Sequence, residues 1–154
     1  MKKSLRKGIY SNLNIYFQSK LVDDALGYAY LPEAASSGST QSYRDGVSLD
    51  AWTIPGGSYT NFNAGKTGTH EVGHWMGLYH TFEGGCTGNG DFIADTPASA
   101  NATSGCPIGR DSCPKQADVN PIHNYMNYSY DSCYEEFTAG QQTRMCSFWD
   151  TYRD

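Results

Sequence analysis

Apolar and aromatic residues alternate with polar ones around Asn14–Gln18 (NIYFQ), which predicts a strand. Gly27–Leu31 (GYAYL) is a second candidate, ended by Pro32, and Val47–Ile54 (VSLDAWTI) a third, stopped by Pro55-Gly56-Gly57. Ala34–Tyr43 is rich in Ser, Ala, Gly and Thr without a core pattern and reads as a loop. A polar link, Ser58–Lys66, leads into a helix expected from about Thr67 to Gly77. From Gly84 to Pro121 no regular element of any length is expected, and a run that long needs cross-links or bound ions to hold it. Thr138 with Gln141 forms a capping-box signature before a last helix, which carries Met145, Phe148, Trp149 and Tyr152 on one broad face. Strands, helix, irregular loops and helix in that order predict an α+β fold in a single domain over 1–154.

The composition narrows the function. At 154 residues the chain can build one real core. No apolar run is long enough to cross a bilayer, so no membrane span is expected. A net charge of −5 argues against a nucleic-acid partner. The one basic cluster, Lys2, Lys3, Arg6 and Lys7, lacks the apolar segment of a signal peptide and reads as an exposed chain start. Four of the five cysteines, Cys86, Cys106, Cys113 and Cys133, fall in the loop-rich part with no C-x-x-C spacing. That favours two disulfides over a zinc ribbon, and with them an oxidising, extracellular setting. Cys146 is left over, as a buried or free thiol on the last helix.

Three of the four histidines stand within Thr69–Phe82, THEVGHWMGLYHTF. His70 and His74 are one turn apart on one helix face, so both imidazoles can reach a single ion. Glu71, one step round, suits a carboxylate that takes a proton from zinc-activated water. His80 cannot join them by continuing the helix, so the chain has to turn, and Gly77 can adopt the positive φ that ends it. Three neutral imidazoles leave zinc a fourth position for water, as in catalytic sites. Five fixed positions of this kind coincide by chance on the order of 10⁻⁵ of the time. A structural zinc site would instead be closed by a fourth protein ligand and would not need Glu71.

The pattern H-E-x-x-H-x-x-G-x-x-H resembles the metzincin metallopeptidases. His123-Asn124-Tyr125-Met126-Asn127-Tyr128 is similar to their methionine turn. Thr81 after the third histidine, then GGC, DTP, GCP, DSCP and NYM-x-Y in this order, resemble the pappalysin family, in particular its small secreted bacterial and fungal members. The resemblance runs from about Leu5 to the C-terminus and is dense from Gly65 onward.

It implies a zincin-like fold, with a twisted mixed sheet and the active-site helix in an upper subdomain of about 5–80. A disulfide-stapled lower subdomain of about 81–154 would end in the C-terminal helix. By the same resemblance His70, His74 and His80 bind zinc and Glu71 is the general base. Met126 forms an apolar floor, and Tyr128 hydrogen-bonds the oxyanion or is a buried structural tyrosine. Asp131 would sit at the base of the S1′ pocket and favour Arg or Lys at P1′, or else be a turn aspartate. The cysteines would pair as Cys86–Cys113 and Cys106–Cys133. Asp91 and Thr96, with Asp95, would offer oxygen ligands to calcium, failing which the stretch is a solvated turn. His123 is read as a hydrogen-bonding loop residue. Family members generally have more chain before the zinc helix, so the upper part is expected to be truncated and no pro-segment is visible. Val47–Trp52 is the candidate for the strand that lines the cleft and pairs with substrate. Asn101-Ala102-Thr103 is a glycosylation sequon; Asn127-Tyr128-Ser129 is another on paper, buried in the turn.

The reading is therefore a secreted, monomeric zinc endopeptidase acting on peptides or proteins. The alternatives are a catalytically silent zinc-binding module that recognises proteins, and a zinc hydrolase of non-peptide substrates.

Overall fold

A computed structural model describes residues 1–154. Its sheet has three short strands: β1 (Ile15–Gln18), β2 (Gly27–Ala29) and β3 (Val47–Asp50), in the order β1-β3-β2. β3 runs parallel to β1 and antiparallel to β2, with Phe17 and Gly27 both opposite Leu49. The expected strands are present but shorter. β3 stops because Asp50 bends the chain: its carboxylate accepts from the Trp52 amide and its carbonyl from the Thr53 hydroxyl, folding Ala51–Thr53 into a 3-10 turn.

Two short helices lie outside the sequence expectations, α1 (Lys2–Leu5) and α2 (Thr40–Arg44). The second falls partly in the expected loop. Its start is explained by Ser39, whose hydroxyl accepts from the Ser42 amide and caps the helix. Lys2 of α1 donates to the Arg44 and Gly46 carbonyls and lies over the Tyr16 and Tyr28 rings, so α1 is tied to the ends of α2 and β3.

Helix α3 (Lys66–Trp75) packs on β2 and β3. Val47, Leu49 and Trp75 form the buried core between them, with Ala29, Val72, Met76 and Trp149 around it. Between α3 and the last helix, α4 (Ala139–Tyr152), there is no regular element, as expected. Disulfides Cys86–Cys113 and Cys106–Cys133 cross-link this run in the expected pairing. The capping box of α4 is fully formed: Gln141 N–H donates to Thr138 Oγ1, and the Thr138 amide donates to Gln141 Oε1. Cys146 on α4 is a free, exposed thiol.

The ends of the chain meet in a buried ion cluster. Arg153 donates to Asp45 at 3.1 Å and to the Trp75 and Tyr10 carbonyls, while Arg6 meets the other Asp45 oxygen at 3.0 Å. No helix is long and apolar enough to cross a membrane.

Val47–Trp52 does not line a cleft, because β3 is the central strand, paired on both sides and buried throughout. A strand must have a free edge to pair with an incoming peptide. β2 has one, and it is Gly27 of β2 that faces the histidine helix.

Candidate active site

Helix α3 presents His70 and His74 one turn apart, and Gly77, at φ 99°, reverses the chain so that His80 returns to the same point. The three Nε2 atoms stand 3.1 Å (His70–His74), 3.0 Å (His74–His80) and 3.3 Å (His70–His80) apart. Three nitrogens each about 2.0–2.1 Å from one tetrahedral ion would be separated by about 3.3 Å. Helical spacing and one glycine turn thus suffice to build the triad.

The hydrogen bonds of the rings decide what those nitrogens offer. His70 Nδ1 donates to the Tyr125 carbonyl at 2.6 Å, and His74 Nδ1 donates to the Leu78 carbonyl at 2.8 Å. A carbonyl only accepts, so in the neutral rings both Nε2 atoms carry lone pairs. Burial keeps the rings neutral. It lowers His70 to about 3 and His80 to about 4, with the neighbouring histidines adding to the effect, and it lowers His74 as well. Lone pairs converging at this range repel one another unless a cation lies between them. The donor set therefore fits a zinc ion, and it is the only clustering of three or more His, Cys, Asp or Glu ligand atoms of this kind in the chain.

Glu71 is 6% exposed, with Oε2 unpaired. In the metal-free protein burial raises its carboxyl to about 8, against downward pulls from the Ala29 backbone and Lys2. It lies against β2 at Gly27, where a Cβ would fall 2.7 Å from Glu71 Cγ and 2.8 Å from Oε1. Met126 is fully buried beneath α3. The turn carrying it is wired to the motif from both sides: the Tyr125 carbonyl accepts from His70, and the Met126 carbonyl accepts from the Thr81 amide at 3.1 Å.

A cleft of about 470 Å³ opens beside His70 and Glu71, lined among others by Gly27, Phe62, Thr103, Tyr128 and Tyr134. The Tyr128 ring is 4.9 Å from His80 and 5.6 Å from His70, it is half exposed, and its hydroxyl makes no hydrogen bond within the protein. Asn127 ties two of the lining residues together. Its Oδ1 accepts from the Thr103 amide at 2.9 Å, its Nδ2 donates to Thr103 Oγ1, and its carbonyl accepts from the Tyr134 hydroxyl. Asn127 is completely buried, so the second sequon is closed off, whereas Asn101 is exposed.

Asp131 lies outside the residues that line this cleft. Its Oδ2 accepts from the Ala64 amide at 2.7 Å and weakly from the Lys66 amide, fixing the start of α3, while Oδ1 is buried without a partner. Of the calcium candidates, Asp91 and Thr96 meet at 2.6 Å and Asp91 Oδ2 is unpaired. Burial raises Asp91 above the ordinary carboxylate range. Asp95 is turned away: its two oxygens take the Thr138 hydroxyl and the Gly140 amide at 2.8 Å each, at the start of α4. His123 donates to the Cys133 carbonyl and takes no part in the triad.

Tyr134, the close contacts of Gly27 and Gly73, and the part Asn127 plays in holding Thr103 and Tyr134 are not expected from the sequence. Gly73, inside the motif, and Asn127, inside the methionine turn, have a local signal; Tyr134 and Gly27 matter through long-range contacts.

The arrangement of sheet, α3 and irregular lower part matches mature mirolysin of Tannerella forsythia, solved in complex with a cleaved peptide. The TM-score is 0.77 at 38% identity, over 90% of this chain and 52% of that one. The fold is that of the metzincins. The family model described as pregnancy-associated plasma protein-A, Peptidase_M43, matches residues 7–150, and the chain belongs to this pappalysin family. It is 68% identical to an extracellular metalloprotease of Verticillium alfalfae, covering 99% of this chain and 54% of that protein. With an extracellular metalloprotease of Neurospora crassa it shares 63% identity, covering 99% and 53%. The chain thus spans about half the length of the curated relatives it matches.

Proposed function

We propose that this domain is a secreted zinc endopeptidase, with His70, His74 and His80 as the metal ligands and Glu71 as the general base. The observation that carries the reading is the triad of converging Nε2 atoms, whose His70 lines the cleft together with Glu71, one oxygen of which is buried and unpaired. When bound, zinc supplies the Lewis acidity that acidifies water and polarises a carbonyl.

The chain's own residues do the rest. An extended peptide adds to the free edge of β2, which puts its backbone alongside Glu71. Glu71 takes the proton of the attacking water and returns it to the leaving amine. The unpaired hydroxyl of Tyr128 donates to the oxyanion on the substrate carbonyl. Asp131 draws an arginine or lysine into P1′, a role supported by its buried, unpartnered Oδ1. Asp91 and Thr96 supply oxygens to a structural calcium ion, without the Asp95 carboxylate. The relatives are extracellular metalloproteases, which supports an extracellular setting here, and peptides or proteins as substrates. The domain works as a monomer.

The test is digestion of a mixed peptide pool by wild type and Glu71→Ala, with bound zinc measured in both. Wild type should cleave before Arg or Lys, and the variant should keep zinc and lose cleavage. Zinc binding without any cleavage by the wild type would favour a recognition module instead.

A further inference from the structure

The three imidazoles are not held alike. His70 and His74 each have their Nδ1 fixed by a backbone carbonyl, at 2.6 and 2.8 Å. His80 has no such bond: no protein acceptor meets its Nδ1. An imidazole free at χ2 has a broad, two-fold choice of ring orientation, and a ligand that wanders weakens a metal site. Something other than a hydrogen bond has to set the plane of this ring.

The neighbours of His80 supply it. Phe82, two residues on, lies face to face with the His80 ring, centroids 4.7 Å apart and planes within 10°. The Glu83 amide donates to the His80 carbonyl at 3.0 Å, closing the turn that carries both rings. Tyr128 stands edge-on to His80 (4.9 Å, 77°) and to Phe82 (5.1 Å, 69°), and His74 meets His80 edge-on from another side (4.5 Å, 88°). Rotation of His80 about χ2 would drive its edge into the Phe82 face.

We infer that Phe82 is a positioning residue for the metal site: its ring, in place of a hydrogen bond, sets the plane of His80. The inference rests on the zinc reading proposed above. A second consequence follows from the shared contacts. Tyr128 touches both rings, so the group proposed to meet the oxyanion is braced against the most loosely tethered ligand.

The test is zinc affinity by competition with a chromogenic chelator, together with the rate of zinc release, in wild type, Phe82→Tyr, Phe82→Leu and Phe82→Ala. Phe82→Leu keeps most of the apolar volume, so the experiment does not depend on the alanine variant folding. Thermal unfolding of each chelator-stripped protein separates metal affinity from folding. Phe82→Tyr, which keeps the stack, should bind within about threefold of wild type. Phe82→Leu and Phe82→Ala should bind about 10- to 100-fold more weakly, the range for losing a group that orients a ligand, and should release zinc faster. The metal-free Leu variant should unfold close to wild type. A Phe82→Leu variant that holds zinc as tightly as wild type would leave only bulk at this position and overturn the inference, with the peptidase reading intact. A wild type that binds no zinc would overturn both.

Discussion

Gly73 and Met126 touch through the only space a glycine leaves: a Cβ at position 73 would lie 2.4 Å from the Met126 sulfur. The motif helix and the methionine turn approach this closely because one of them has no side chain at the contact. The same turn holds His70 through the Tyr125 carbonyl, so the packing and the metal site share one joint.

Gly73→Ala should therefore act on both. Forcing a methyl into this contact should cost about 1–3 kcal/mol of stability, as overpacking of a filled core does. It should also weaken zinc binding by shifting the turn that orients His70. Thermal unfolding with and without chelator measures the two effects separately.

Gly27 makes the corresponding contact on the upper side. A methyl there would press on Glu71 at 2.7 Å, and a side chain can yield by swinging aside. Gly27→Ala should leave zinc content and folding nearly unchanged while kcat falls roughly 100-fold, the scale expected when a catalytic group is displaced by about 1 Å. Steady-state kinetics with parallel metal analysis would check this.

Acid and base should each destabilise the metal-free protein, through opposite groups. The three histidines have folded pKa values lowered by burial, to about 3 for His70 and about 4 for His80, so the unfolded chain binds their protons first. Stability from them is present above about 6.5 and is lost as pH falls toward 4. Glu71 works the other way, since its folded pKa is raised to about 8. Its contribution is present at low pH and is lost as pH rises through 8. Unfolding midpoints of chelator-stripped protein from pH 4 to 9 should therefore peak between about 6 and 7, and Glu71→Gln should remove the alkaline fall.

The cluster of Arg6, Asp45 and Arg153 should be sensitive to loss of its acid. Asp45 is 2% exposed and the Arg153 side chain is fully buried, with its guanidinium over the Trp75 ring at 3.6 Å. Asp45→Ala leaves buried positive charge without a partner, which costs about 3–5 kcal/mol. Denaturant titration of the variant should show a drop of that size, with zinc binding retained wherever the protein is folded.

The parts legible in the sequence are those whose geometry is local. One ion sets the spacing of His70, His74 and His80, the helix sets the first interval, and Gly77 sets the turn. Thr138 and Gln141 announced α4 because a capping box spans four consecutive residues. The order of the sheet was not legible: Val47–Trp52 alternates well enough for a strand, but nothing in it says that both its edges are paired. Asp131 shows the same limit. Beside the pocket role that the resemblance implies, its Oδ2 holds amides at the start of α3, far away in the chain, a contact no local pattern announces. Asp95 likewise reads as a candidate ligand in a loop, and the hydrogen bonds its oxygens accept from the Thr138 hydroxyl and the Gly140 amide have no signal near it in the chain. α2 was missed because its cap, Ser39, lies in a stretch of small polar residues that shows no apolar period.

The central claim is that three imidazoles hold one zinc ion and leave the corner beside Glu71 open. X-ray absorption at the zinc edge of the loaded protein reads this directly. The expected result is one zinc per chain with three imidazole nitrogens and a single further light ligand, all at about 2.0–2.1 Å. A shell containing sulfur, or a fourth imidazole, would contradict it.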